Sequence, residues 1–398
     1  MLKPVVAYIE QGRGFGGAVS VLANALPFVR RRGYETHVVL TYEDARAADA
    51  LAGRCDHIHV LPYRRRPVAV MERLEALNGR SRLGKWAYLL GLTLRESAEA
   101  CRWLSGLQGL LRRVRPAVVH ANNGPEYNRL ALLLARTMGI PTVVSVRAER
   151  GGRSILGRLG ERADDWEVFV SRYLQEAGPA SRRRATVIYD GLDMRRWPRP
   201  NPSRGSSGII RVGHLGMLTS WKGQDVFIQA AARVAAKYAN VEFLVYGDPI
   251  TTDARTYARS LRRMAEASGH GGRIHFMGFR PDVRQVLLGL DVLVHCPTSP
   301  EPFGMVVLEG MAAGVAVIAS DEGGPREIAR HGTDALLVRS RSAEDLADAI
   351  EYLIIHPDKR SALGKAARAR VEETFSAEGT GEKMSRLYDE LIQGRRVA

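Results

Sequence analysis

Short apolar runs alternate with amphipathic stretches from one end of this 398-residue chain to the other. That alternation is the pattern of βα units, whose strands lie in parallel sheets between layers of helix. Strands are expected at 4–9, 35–41, 57–61, 116–120, 141–146, 167–171 and 185–189, and again at 209–214, 241–246, 273–276, 291–296, 315–319 and 335–338. Val-Ala-Val-Ile-Ala-Ser (315–320) is almost wholly apolar, as a strand covered on both faces must be. Between the two sets lies Trp-Pro-Arg-Pro-Asn-Pro-Ser-Arg-Gly-Ser-Ser-Gly (197–208), a composition suited to a linker. The expected fold is therefore α/β, with two Rossmann-like doubly wound domains at 1–195 and 209–376 and a hinge at 196–208. Helices are expected at 343–355 and 358–373, and a last one at about 377–393 returning to the first domain. Open parallel sheets take ligands at the carboxyl ends of their strands, so two such domains would hold a cleft between those ends.

A chain that is 45% hydrophobic and 25% charged is long enough for two to three domains with real cores. Cys55, Cys101 and Cys296 are too far apart for a disulfide or metal spacing, which points to a reducing cytoplasm. No apolar run approaches a membrane span, and the first residues enter a strand without a cleavage-site pattern. The net charge of +15 is uneven: residues 1–200 hold 33 Lys/Arg against 19 Asp/Glu, whereas the second half is nearly neutral. An anionic partner for the first domain follows: nucleic acid, an anionic membrane surface or a lipid diphosphate. Within 62–115, Arg64, Arg65, Arg66, Trp86 and Trp103 mix basic and aromatic residues with leucines at helical spacing. That mix suits a membrane-interface helix, or a helix pair packed on the sheet with its basic side chains in solvent.

Residues 300–310 read Pro-Glu-Pro-Phe-Gly-Met-Val-Val-Leu-Glu-Gly. Glu301 and Glu309 stand around the start of an apolar helix, and a carboxylate on a burying face needs hydrogen-bond donors. A sugar or ribose diol supplies two; a capping role for Glu301 and backbone bonding for Glu309 is the plainer alternative. Gly304 frees the backbone at the helix start, where the amides of Met305 and Val306 suit a phosphate or sugar oxygen.

Gly12, Gly14 and Gly17 satisfy G-x-G-x-x-G after the first strand. No acid stands where a dinucleotide site would need one for the ribose, since Glu43 comes late. Gly16 and Gly17 could instead let the loop approach a phosphate, or simply make a tight turn. Lys222, on the loop after the strand at 209–214, can reach a diphosphate or lie solvated in its turn.

These residues carry a resemblance. Glu301 and Glu309 match the E-x7-E signature of the retaining family 4 (group 1) glycosyltransferases of GT-B fold. Similar too are Val-Phe-Val-Ser-Arg-Tyr-Leu (168–174), Val-Ile-Tyr-Asp-Gly-Leu-Asp (187–193), Tyr-Gly-Asp-Pro (246–249) and Ile-His-Phe-Met-Gly-Phe-Arg-Pro-Asp-Val (274–283). The match is strong over 209–345 and looser before 150. It implies a transferase moving sugar from a nucleotide-sugar, UDP- or GDP-linked, to a hydroxyl with retention. Lys222 and Glu301 would be catalytic, and Gly16, Gly17, Phe279, Arg280, Phe303, Gly304, Met305, Val306 and Glu309 would bind donor, with Phe279 alternatively a core residue. Asn122, Asn123 and Arg147 would face a glycan or lipid-linked acceptor. Two departures stand out: Met217 replaces an arginine usual five residues before Lys222, leaving Arg211 or an N-domain arginine to substitute, and Arg147 replaces a frequent histidine.

No cofactor and no metal are expected, because no Asp-x-Asp falls in a plausible site. Nucleic acid is not an expected partner under this reading, and the location is cytoplasmic, with the inner membrane face as a docking surface. The role is in cell-surface polysaccharide or glycolipid synthesis. The alternatives are a nucleotide-sugar epimerase or hydrolase of the same fold, an NAD-binding dehydrogenase, or a non-catalytic sugar-nucleotide-binding protein.

Overall fold

The computed structural model describes residues 3–11, 16–63, 82–149, 164–178, 184–198 and 208–396. The chain divides into two compact units: Met1–Phe169 with Ser181–Thr186 and Gly381–Ala398, and Val170–Ala180 with Val187–Thr380. Most of the expected linker lies outside the described residues.

The sheet of the first unit has the strands β1 (Val5–Glu10), β2 (Glu35–Leu40), β3 (His57–Val60), β4 (Val118–Ala121), β5 (Thr142–Val146), β6 (Trp166–Phe169) and β7 (Arg184–Val187), in the order β3-β2-β1-β4-β5-β6-β7. The order reverses between β1 and β4, both parallel to their neighbours, which is where doubly wound sheets open a binding crevice. Among the described residues four helices intervene: α1 (Gly17–Arg31), α2 (Ala45–Leu51), α3 (Arg82–Val114) and α4 (Pro125–Thr137). Asp44 caps α2 by accepting from the amides of Arg46 and Ala47.

Of the two readings of 62–115, Trp103 follows the packed one: it is a core residue and not a membrane-interface side chain. It is 6% exposed and shares a cluster on α3 with Leu107, Leu110 and Leu111 against Ala7, Val39 and Val119. Its indole Nε1 donates to the Leu61 carbonyl at 3.1 Å, and its ring stacks on Tyr63 with centroids 5.0 Å apart. The apolar stripe of α3 takes Trp103 to the sheet because a large ring contributes more by burial than any neighbouring position offers. Arg64, Arg65 and Arg66 and the side chain of Trp86 lie outside the described residues.

The second unit begins with α5 (Arg172–Ala177) and holds β8 (Ile210–Leu215), β9 (Val241–Tyr246), β10 (Ile274–Gly278), β11 (Val292–His295), β12 (Ala316–Ser320) and β13 (Leu336–Val338). Their order is β10-β9-β8-β11-β12-β13. Its further helices are α6 (Gln224–Lys237), α7 (Thr252–Ala267), α8 (Val283–Leu288), α9 (Met305–Ala312), α10 (Pro325–Ile328), α11 (Ala343–Ile355) and α12 (Pro357–Thr374). One core of Val, Ile, Leu, Phe and Ala runs from Val226–Ala235 on α6 through the sheet to Leu346–Leu353 on α11. The β strands printed in the sequence as apolar runs all appear, each end within two residues of its expected place. The last helix, α13 (Ala377–Arg396), belongs to the first unit from Gly381 onward. A Cβ on Gly381 would lie 2.6 Å from that of Phe28, so only glycine lets α13 close on α1. Further along α13, Tyr388 is fully buried; its hydroxyl is 2.6 Å from His120 Nδ1 and 3.0 Å from the Tyr8 hydroxyl.

Candidate active site

In the second unit the polar residues gather where the parallel strands end. After β8 the chain makes a 3-10 turn, Ser220–Lys222, and then Gly223 at φ 74. A Cβ there would sit 1.8 Å from the Cys296 carbonyl oxygen, so the turn holding Lys222 is pinned against the end of β11. His214, buried on β8, donates through Nε2 to the Lys222 carbonyl at 3.0 Å. Lys222 Nζ then reaches Glu301 Oε2 at 2.6 Å and lies 4.0 Å over the Trp221 ring.

Glu301 is fixed from below. The Gly324 amide donates to its carbonyl at 2.8 Å, and Gly323 at φ 64 passes so close that a Cβ would lie 2.5 Å from that oxygen. The Gly-Gly pair of 321–327 is thus required by close approach to the 301–303 backbone. His295, buried at the end of β11, brings Nε2 to 3.5 Å from Glu301 Oε2, a long contact. Burial by itself pushes the Glu301 carboxyl up, but His295 and Lys222 together outweigh it and hold it down at about 2. Burial, then the neighbouring His295, pushes the His214 imidazole down to about 3.

Gly304, at φ 103, opens α9. The Val307 and Leu308 amides turn back to the Gly304 carbonyl, which leaves those of Met305 and Val306 as first-turn donors. One turn on, Glu309 is partly buried and has no hydrogen-bond partner among the described residues; burial alone pushes its carboxyl up to about 7. Phe303 offers only its backbone to a ligand, because its ring is buried against Tyr189 and Phe375. Phe279 and Arg280 follow β10 and are exposed, Phe279 by 49%, so the core alternative for Phe279 does not hold.

Met217 is exposed, and its carbonyl accepts from Gln224 Nε2 at 2.8 Å. Arg211 cannot replace the missing arginine. It stands at the amino end of β8, 3.4 Å from Glu242, while Lys222 follows the carboxyl end. Glu327 accepts from the amides of Arg172 and Tyr173 and from the Tyr189 hydroxyl, which caps α5.

The first unit builds a second polar group at the ends of β1, β4 and β5. Glu10, 1% exposed, accepts from the side-chain amides of Asn122 and Asn123, the latter at 2.6 Å. Arg147 donates through Nε to the Asn122 carbonyl at 2.8 Å and through a terminal nitrogen to Asn122 Oδ1 at 3.2 Å. Burial raises the Glu10 carboxyl, and Asn122, Arg147 and Asn123 partly offset it. Asn122 is therefore engaged on both ends of its amide, and what it sets is the position of Arg147. At the start of α1, a Cβ on Gly16 or Gly17 would meet nothing within 4 Å, so nothing described in this unit requires glycine there. Gly12 and Gly14 lie outside the described residues.

Sequence reasoning missed Glu10, His214 and His295. Each is a single polar residue in or ending an apolar strand, and that placement at the carboxyl end was the available signal for Glu10 and His295.

Comparison with known proteins gives the chemistry. Residues 203–370 match the model of the glycosyl transferases group 1 family. The chain is 28% identical over 324 residues to the lipopolysaccharide core biosynthesis mannosyltransferase LpcC of Rhizobium leguminosarum bv. viciae, covering 79% of this chain and 90% of that protein. It is 30% identical over 307 residues to a D-inositol 3-phosphate glycosyltransferase of Rhodococcus erythropolis, covering 72% of this chain and 66% of the relative. Its fold is that of Anabaena HepE, solved with UDP-glucose, at TM-score 0.77 and 21% identity over 97% of this chain and 99% of that one. The group 1 match spans the loops that carry Lys222, Glu301 and Glu309, and the protein belongs to the group 1 glycosyltransferases of GT-B fold.

Proposed function

We propose that the second unit binds a nucleoside-diphosphate sugar and that the enzyme moves the sugar, with retention, to a hydroxyl of an anionic or lipid-linked saccharide. The observation that carries the donor reading is Glu309, a partly buried carboxyl with no protein partner among the described residues. A ribose diol would give it two donors, which removes the cost of leaving it unpaired. Phe279 and Arg280 would face the base, and the amides of Met305 and Val306 the phosphates or sugar.

The leaving diphosphate gains negative charge as the sugar departs. Lys222 and those amides would meet it, so this reading needs no metal at the donor site. Glu301, ionised across the working range, would take sugar hydroxyls and answer developing positive charge on the sugar. Gly16 and Gly17 would leave room for a phosphate at the start of α1, and Arg147 would hold an anionic group of the acceptor.

The acceptor class rests on the +14 balance of residues 1–200 and on the relatives, which include a lipopolysaccharide core enzyme and D-inositol 3-phosphate glycosyltransferases. Among the described residues no helix is long and apolar enough to cross a membrane. Docking on an anionic inner leaflet at the cytoplasmic face would bring such an acceptor to the enzyme.

Thermal-shift screening of UDP-, GDP- and ADP-sugars tests the donor half. One nucleotide series should stabilise the protein, and Glu309→Gln should remove the shift. Stabilisation equal in wild type and variant rejects the ribose assignment. Incubation with the selected donor alone separates transfer from hydrolysis, since free sugar should not accumulate without acceptor.

A further inference from the structure

We propose that Glu35, His37 and His57 form a divalent metal site, zinc(II) by its donor set, that ties the edge strand of the first unit's sheet to its neighbour. β2 and β3 pair in parallel with His37 opposite His57 and Val39 opposite His59. Side chains alternate along a strand, so Glu35, His37, His57 and His59 stand on one face of the pair. Their ligand atoms converge. Glu35 Oε1 lies 3.0 Å from His37 Nε2 and 3.3 Å from His57 Nε2, and each of the three residues offers one ligand atom within 4.8 Å of the other two.

Those spacings are the size of a coordination polyhedron. Zinc bound at about 2.0–2.2 Å to imidazole nitrogen and carboxylate oxygen holds adjacent tetrahedral donors about 3.3 Å apart. The side from Glu35 to His57 already has that length, and the side from Glu35 to His37, at 3.0 Å, is slightly shorter. Two histidines and a carboxylate with one open position are also a zinc donor set, and His57, 52% exposed at its side chain, leaves solvent access for a fourth ligand.

His59 completes the arrangement without touching the metal. Its Nε2 is 2.9 Å from His37 Nδ1, and the two rings stack with an interplanar angle of 14°. For His37 to bind metal through Nε2, its Nδ1 must carry the proton and donate it to an acceptor. His59 Nε2 is placed to accept, the outer contact that orients ligating histidines. Arg113, near the end of α3, is the cation that acts on His59, and Asp56 is taken up by Arg30 and Thr36.

The cluster begins at the amino end of β2, whereas Glu10 and Arg147 stand where β1 and β5 end. It is therefore apart from the polar group proposed for the acceptor. What it can do there is mechanical. β3 has four residues, none of them buried, at the edge of the sheet, so packing holds it weakly. A cation bound to both strands would fix it.

The test is zinc titration of untagged, metal-stripped protein by calorimetry, with cobalt(II) as a spectroscopic probe. One equivalent of zinc should bind, cobalt should give the visible bands of a tetrahedral site, and the melting temperature should rise with zinc. Glu35→Gln with His57→Ala should abolish all three while the circular dichroism spectrum stays native, since both side chains are partly exposed. His59→Ala should keep the site but weaken it about 10- to 100-fold, as loss of an outer partner does. Absence of stoichiometric zinc binding, or equal binding by wild type and the double variant, overturns the proposal.

Discussion

Lys222 donates to Glu301 across 2.6 Å, joining the loops that leave β8 and β11. Each is the other's counter-charge. Under the proposed donor reading, a diphosphate entering the site would compete for Lys222 and leave Glu301 to sugar hydroxyls.

Lys222→Ala should therefore lower kcat by about 100-fold or more, the usual cost of losing a donor aimed at developing charge. Affinity for the bare nucleoside should change little, because the partner proposed for Lys222 is the phosphate, whose charge would grow in the transition state. Steady-state kinetics beside nucleoside binding checks this. A kcat within twofold of wild type would remove Lys222 from the chemistry.

Glu309 gives a proton signature. Its folded-state carboxyl is raised from the ordinary carboxylate range to about 7 by burial alone. Hydrogen-bond donors favour the ionised form and pull the value down. Nucleotide binding near pH 7 should thus release a proton, and affinity should rise from pH 5 to pH 8, by at most about tenfold per unit. Calorimetry in buffers of different ionisation enthalpy reads the proton count directly. Glu309→Gln should bind more weakly and without proton release; a wild-type enthalpy independent of buffer contradicts the assignment.

Much of this was legible in the chain. The central strands announced themselves because they are buried on both faces and so read as nearly continuous apolar runs, whereas β3 and β7, at the edges of the first sheet, have no buried residue. The turns that carry Lys222, Glu301 and Glu309 were legible because glycines mark them, demanded by close approach at 223 and 323 and by positive φ at 304. Glu10 was not, because one acid after Val-Val-Ala-Tyr-Ile looks like the first residue of a loop until Asn122 and Asn123 are brought to it from more than a hundred residues away. The histidine cluster was hidden for a related reason: His37 and His57 are neighbours only through the register of two strands. Trp103 misled because a helix mixing arginine, tryptophan and leucine does not state which face meets the sheet.

His120 and His214 are both neutral and buried, held down at about 3 chiefly by desolvation. The sign follows from where the protons go. Between the ordinary value near 6.5 and about 3, the unfolded chain binds protons that the folded one refuses, so stability falls as pH drops through that window. Each group contributes up to about 1.4 kcal/mol per pH unit. Urea denaturation at pH 7.5, 6.5 and 5.5 should show the loss, and His214→Gln should flatten it. An unchanged slope in that variant would assign the acid sensitivity to other groups.

Arg147 is positioned by Asn122, and Asn122 by Glu10. Arg147→Ala should raise the KM for acceptor at least tenfold with little change for donor. Glu10→Gln should do the same to a smaller extent, acting through the asparagines. A variant whose donor KM changes as much as its acceptor KM would show that this group serves the donor instead.

Membrane docking now rests on charge and on Trp86, whose side chain lies outside the described residues, because Trp103 is part of the core. Trp103→Ala should cost about 3–5 kcal/mol of stability, as truncation of a buried ring does. It should not weaken lipid binding in whatever protein remains folded. Replacing Arg64, Arg65 and Arg66 with serine should lower binding to anionic vesicles, since each basic residue at such a surface contributes about 1 kcal/mol. Wild-type protein should co-sediment with anionic vesicles, not with neutral ones, and should dissociate as salt shortens the Debye length to about 3 Å at 1 M. Equal binding to both vesicle types, or to neither, rejects docking and leaves the basic half to a soluble anionic acceptor.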